Sequence, residues 1–298
     1  MGRVGRDFSA NESIEIQKLL QILVLTAMAE TNFWRDGIVS FQGGSSLNLV
    51  WGSPRFSQDL DFLTSASPAS QHEAMTRVIR RASDLLHGFR DGELEYSSKL
   101  DAESGLSRFT IKFSKDGFRS KVRLKVEFFT VPGNLLDETR LNFQELPPTT
   151  EKYEKLRPVV PASSPEALLI DKYVALVYRE PMRLADLFDI WWLRTSGKIV
   201  TDLLSPSQTL EMLRNTTGAY GRDLKNFAVT LVSKTIPEVE RKTAEDIFAA
   251  VRSELPEKFV GLLQSNGVFQ QIRTICLRDL RTLTTTLGAD RAHGSRCR

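Results

Sequence analysis

Two aspartates one residue apart, Asp59 and Asp61, are the residues of this chain most suited to chemistry. In an extended strand alternate side chains share a face, so the two carboxylates project together while Leu60 and Phe62 pack inward. Carboxylates held that close repel unless a cation lies between them, and Mg²⁺ suits the position because it takes one or two carboxylates together with substrate phosphates. Upstream, the backbone of Gly43-Gly44 can approach a triphosphate closely, and the helix N-terminus that follows presents N–H groups to it. Ser45 or Ser46 adds a hydroxyl. The chemistry this implies is metal-assisted transfer of a phosphorus-bearing group, which needs no histidine or cysteine nucleophile. Taken singly, Gly-Gly reads as a turn and Asp-x-Asp as an exposed strand end. It is their order and spacing that point to a site.

Two more elements carry candidate groups. In KVRLKVEFF, Val122, Leu124, Val126 and Phe128 form an apolar face, and Arg123, Lys125 and Glu127 share the other. Glu127 either completes the metal set and activates an acceptor hydroxyl or belongs to a solvated sheet face. Further on, Ser164-Pro165-Glu166 is a helix start, and the body ALLIDKYVALVY is apolar nearly all round. Lys172 is therefore expected to be buried and to need a partner, either a nucleotide phosphate or one of Asp171, Asp186 and Asp189.

These groups must be positioned by a mixture of strands and helices. Helical spacing runs over 12–30, with Asn11 or Ser13 as N-cap, and again over 68–86; strands are expected over 38–41, 56–63, 93–97, 108–114 and 121–131, the last two joined by a turn at Lys115-Asp116-Gly117. The proline-rich stretch 132–165 reads as a linker, and the pattern beyond it is helical. The expected class is α+β, a catalytic domain over 1–150 with a mixed sheet and flanking helices, then a mainly helical domain over 151–287, with the active-site cleft between them and a disordered tail over 288–298.

Of the 298 residues 41% are hydrophobic and 26% charged, an ordinary globular composition, and the net charge of +3 permits nucleic-acid contact without demonstrating it. Two cysteines are too few for a disulfide framework, and no Cys/His cluster offers a zinc site. No stretch reads as a membrane span, so a cytoplasmic protein is expected. Trp191-Trp192 reads as core rather than a stacking platform. The basic residues Arg273, Arg278, Arg281, Arg291, Arg296 and Arg298 read as a solvated face, with an RNA-backbone patch as the sharper alternative.

Gly43-Gly44-Ser45-Ser46-Leu47 followed by Arg55-Phe56-Ser57-Gln58-Asp59-Leu60-Asp61-Phe62 resembles the motif of the AbiEii/MenT nucleotidyltransferase toxins, within the DNA polymerase β-like nucleotidyltransferase superfamily. The late block around Lys172 is similar to the family's Asp-Lys-x-x-Ala-Leu and Arg-Asp-Leu-x-Asp-Leu; here Arg183-Leu184-Ala185-Asp186 has two residues between arginine and aspartate. The resemblance implies a polymerase β-like nucleotidyltransferase domain in which Asp59, Asp61 and Glu127 hold Mg²⁺, two ions in all. Gly43, Gly44, Ser45 and Lys172 would bind the NTP, and Asp186 would be functional. It implies a toxin of a toxin–antitoxin or phage-defence system that adds nucleotides to an RNA acceptor, the tRNA 3′ end, and stops translation, with an antitoxin as partner. Ser57, beside the aspartates, is a candidate regulatory phosphorylation site, since added negative charge would oppose triphosphate binding. Two rivals are a nucleotidyltransferase acting on a protein or small-molecule hydroxyl and a catalytically degenerate binding module.

Overall fold

The computed structural model describes residues 5–35, 37, 39–101, 103–133, 136, 141–147, 154–199, 205–265 and 267–294. The chain divides into two compact units, one comprising residues 1–50 and 57–163, the other 51–56 and 164–298.

The first unit is a mixed sheet with helices on its apolar face. Its strands are β1 (Val39–Gln42), β2 (Leu60–Thr64), β3 (Glu93–Asp101), β4 (Leu106–Ser114), β5 (Val122–Thr130), β6 (Leu141–Glu145) and β7 (Val159–Ser163), and its helices α1 (Ala10–Glu30), α2 (Gly43–Leu49) and α3 (Pro68–Leu86). The strand order is β3-β4-β5-β2-β1-β7-β6. β2 runs parallel to β5 and β1 parallel to β7, and the other neighbours are antiparallel.

Alternation on β4 and β5 sends Phe109, Ile111, Phe113, Val122, Leu124, Val126 and Phe128 into the core. Phe62 stacks there between Phe41 and Phe128, at ring separations of 5.1 and 5.0 Å. α1 and α3 cover this face. α1 is capped by Ser9, ahead of the expected Asn11 or Ser13, because Ser9 and Glu12 form a reciprocal capping box. Residues 132–165 are not a plain linker: β7 pairs with β1 and carries β6 beside it, so the sheet claims the chain through Ser163 instead of ending near 150. Pro161 lies on β7, opposite Phe143 of the edge strand β6.

The second unit is helical: α4 (Pro165–Tyr178), α5 (Ala185–Thr195), α6 (Pro206–Ala219), α7 (Leu224–Thr230), a π-helical turn Leu231–Thr235, α8 (Ile236–Arg241), α9 (Ala244–Val251), α10 (Glu257–Ser265) and α11 (Val268–Gly294). α4 opens as expected, with Ser164 accepting from the Ala167 N–H and proline in the first turn. Leu168, Phe188, Leu213, Phe227, Ile272, Cys276 and Leu280 are fully buried among these helices. The tail expected to be disordered from Gly288 is instead helical to Gly294. Leu287 is still buried, and past that anchor each residue adds a backbone hydrogen bond to a helix already nucleated. Residues 295–298 lie outside the described residues.

Candidate active site

In the first unit, Asp61 lies on β2 with Gln42 of β1 on one side and Glu127 of β5 on the other. The strand begins at Leu60, later than the expected 56, so Asp59 sits at its entrance rather than inside it. Leu60 and Phe62 are buried and Asp61 is half-buried, so the expected division of faces is present. Lys125, on the same outward face of β5, places Nζ 3.9 Å from Asp59 Oδ2.

The glycine pair begins α2 directly after β1. Gly43 has φ of +75°, and a side chain there would put its first carbon 2.5 Å from Asp61 Oδ2. Both facts require glycine at 43: the backbone is left-handed and the aspartate occupies the space a Cβ would need. Ser45, expected to offer its hydroxyl to a nucleotide, is fully buried inside α2, and its Oγ donates to the Asp59 carbonyl. Gln21 of α1 donates from Nε2 to the Ser57 carbonyl at 2.7 Å and to the Gln58 carbonyl at 3.2 Å. Ser45 and Gln21 thus satisfy backbone groups that no ladder satisfies and hold the loop carrying Asp59. Ser57 itself is only 6% exposed, so a kinase could reach it only if this loop opened.

Asp59 and Asp61 are the residues that would hold a divalent cation, with Gly43 leaving the space beside the Asp61 carboxylate open. Glu127 departs from the expected set of three: its carboxylate accepts from Nε of Arg108, its antiparallel partner on β4. Among the described residues no three His, Cys, Asp or Glu side chains lie close enough to share a metal ion.

In the second unit lies a buried ion network. Lys172 Nζ is 2.7 Å from Asp186 Oδ1 and 2.7 Å from Asp189 Oδ2. Arg55, 1% exposed, donates Nε and Nη2 to the two oxygens of Asp189 at 2.8 and 2.6 Å and also pairs with Glu254. Lys172 thus pairs with two of the aspartates expected as its partners. Burial alone would push the Lys172 ammonium down, but Asp186 and Asp189 outweigh it and hold its pKa above the ordinary lysine value. Burial likewise works against the Asp189 carboxylate, yet Arg55 and Lys172 hold it down to about 2. Asp186 has Arg179 as its arginine, at 2.9 Å, whereas Arg183 reaches Glu254 at 3.6 Å. Arg55 and Glu254 were given no role from sequence; Arg55 stood inside the motif, but its partners lie far along the chain.

A match to the nucleotidyl transferase AbiEii toxin family, a type IV toxin–antitoxin system, runs over residues 24–265. The chain belongs to the AbiEii family. Its toxins are nucleotidyltransferases, and the family type implies an NTP substrate and an antitoxin partner. MenT4, a nucleotidyltransferase toxin of Mycobacterium tuberculosis H37Rv, is similar in structure, with a TM-score of 0.50, 17% identity and 93% of each chain covered. JHP933 of Helicobacter pylori has a TM-score of 0.49 at 16% identity, covering 98% of this chain and 99% of that one. No curated protein sequence matches. Among the described residues of this AbiEii protein no helix is long and apolar enough to cross a membrane.

Proposed function

We propose that this toxin transfers a nucleotidyl group from an NTP to the 3′ hydroxyl of an RNA, with the tRNA acceptor end as substrate and arrest of translation as the consequence. The acceptor oxygen forms a bond to the α-phosphorus, the bond to the β-phosphate oxygen breaks, and pyrophosphate leaves. In this reading Asp59 and Asp61 hold Mg²⁺, which neutralises charge on the triphosphate and on the oxygens around the reacting phosphorus. The backbone of Gly43 and Gly44 receives the phosphates, Ser45 positions Asp59, and Glu127 takes the proton of the acceptor hydroxyl.

The observation that carries the reading is the Gly43–Asp61 packing, since a glycine with positive φ pressed against a half-buried carboxylate serves substrate access better than stability. The test is incubation of the full chain with total RNA, Mg²⁺ and each α-labelled NTP in turn. Label in tRNA, absent with Asp61→Ala and without Mg²⁺, is expected. Label in protein instead of RNA would move the acceptor to a protein hydroxyl, and no label with any NTP would leave a binding module.

A further inference from the structure

The outward face of β4 and β5 is basic where it adjoins the carboxylates. Cross-strand registers align Asp61, Glu127, Arg108 and Lys99 in one row across β2, β5, β4 and β3. The next row is Lys125, Thr110 and Ser97, and the third Arg123, Lys112 and Glu95. Arg108, Lys112, Arg123 and Lys125 therefore share a face with Asp61, and only Glu127 opposes them on these two strands. β3 at the edge adds Lys99 but also Glu93, Glu95 and Asp101, and Glu95 is taken by Lys121 at 2.7 Å. Arg123, Lys125 and Lys99 are exposed and Lys112 half-buried.

We propose that this face is the track for the acceptor RNA, its cations holding successive phosphates and leading the 3′ end toward Asp61. The inference rests on the RNA-acceptor reading above and adds the surface. Cations repeat about 7 Å apart along a strand and about 5 Å across strands, a lattice suited to a regularly charged chain. The middle row supplies hydroxyls at Thr110 and Ser97, which bind phosphate as readily as they bind water. The two central strands offer no aromatic or large apolar anchor outward in these three rows, which a protein partner would need. Two of the C-terminal arginines have partners within their own unit, Arg281 with Glu240 at 2.7 Å and Arg273 with the Lys242 carbonyl at 3.1 Å.

The experiment is an anisotropy titration of labelled tRNA with the full chain at several salt concentrations, without NTP, comparing wild type, Lys112→Glu/Arg123→Glu, the milder Lys112→Gln/Arg123→Gln, and Asp61→Ala. The glutamate variant is expected to raise Kd at least ~10-fold and to flatten the salt dependence by about two charges, with the melting curve unchanged. The glutamine variant gives a smaller rise in Kd, and carries the test if the reversal disturbs folding. Asp61→Ala binds RNA as wild type does while losing transfer, which separates failure of the catalytic reading from failure of the track. Unchanged Kd and salt slope in both charge variants would overturn the track. So would retained RNA binding with lost inhibition by the antitoxin, since the face would then belong to an acidic protein. Wild type that binds no RNA would sink both readings together.

Discussion

Asp59 and Asp61 sit at a half-exposed strand entrance, held from behind by glycine, a buried serine hydroxyl and a buried glutamine, whereas Asp186 and Asp189 are fully buried and already answered by Lys172, Arg55 and Arg179. The first pair is positioned through its backbone and keeps its carboxylates on a face that a ligand can reach. The second has its carboxylates consumed by protein cations, so its charge serves order within the helical unit. The two carboxylate pairs thus differ in what surrounds them, not in residue type.

The largest effect that would sharpen this contrast is on activity. Asp61→Ala is expected to lower label transfer on the order of 10⁴-fold, about 5 kcal/mol of transition-state stabilisation, while the thermal midpoint stays near wild type. A large drop in that midpoint would break the comparison, because Asp61 would then be structural too.

Asp189→Ala should do the reverse. It leaves Arg55 and Lys172 buried with Glu254 and Asp186 as remaining partners, at a cost of about 3 kcal/mol in a urea titration. If Asp189→Ala unfolds at the wild-type denaturant concentration, the network is not what holds these helices.

Acid separates the regions further. The Asp189 carboxylate falls from an ordinary 3.8 to about 2 in the folded protein, so its contribution is present above the unfolded pKa and is lost as pH falls from about 4 toward 2. The lost stability is about 2 kcal/mol over that window. Stability measured by denaturant between pH 5 and 2.5 should decline for wild type and decline less for an Asp189→Asn variant; parallel declines would place the acid sensitivity elsewhere.

The smallest expected effect is at Ser45. Ser45→Ala removes the hydroxyl that binds the Asp59 carbonyl, for about 1 kcal/mol of stability. Because the loop carrying Asp59 is loosened, kcat should fall while KM for NTP changes little. A raised KM with unchanged kcat would instead return Ser45 to direct nucleotide contact.

Much of this was legible in sequence where the signal was local. The helix expected over about 68–86 is the one formed, and Ser67 caps it with proline in its first turn. Alternation likewise set the inward and outward faces of β5, and with them the outward placement of Glu127. Residues 141–163 were not legible as strands: prolines and polar residues interrupt the pattern, and β7 gains its place only by pairing with β1 from far away in sequence.

What the sequence determined by itself was the motif, Gly43-Gly44 before Asp59-Leu60-Asp61, because spacing along a strand and the need for glycine are properties of neighbouring residues. Only the tertiary structure decided the partners. Ser45 turned inward to a backbone carbonyl, Glu127 met Arg108 across β4, and Lys172 met Asp186 and Asp189 with Arg55 beside them. The physical reason is that a buried polar group must be satisfied by whatever the fold brings within about 3 Å, and folding brings together residues that are distant in the chain.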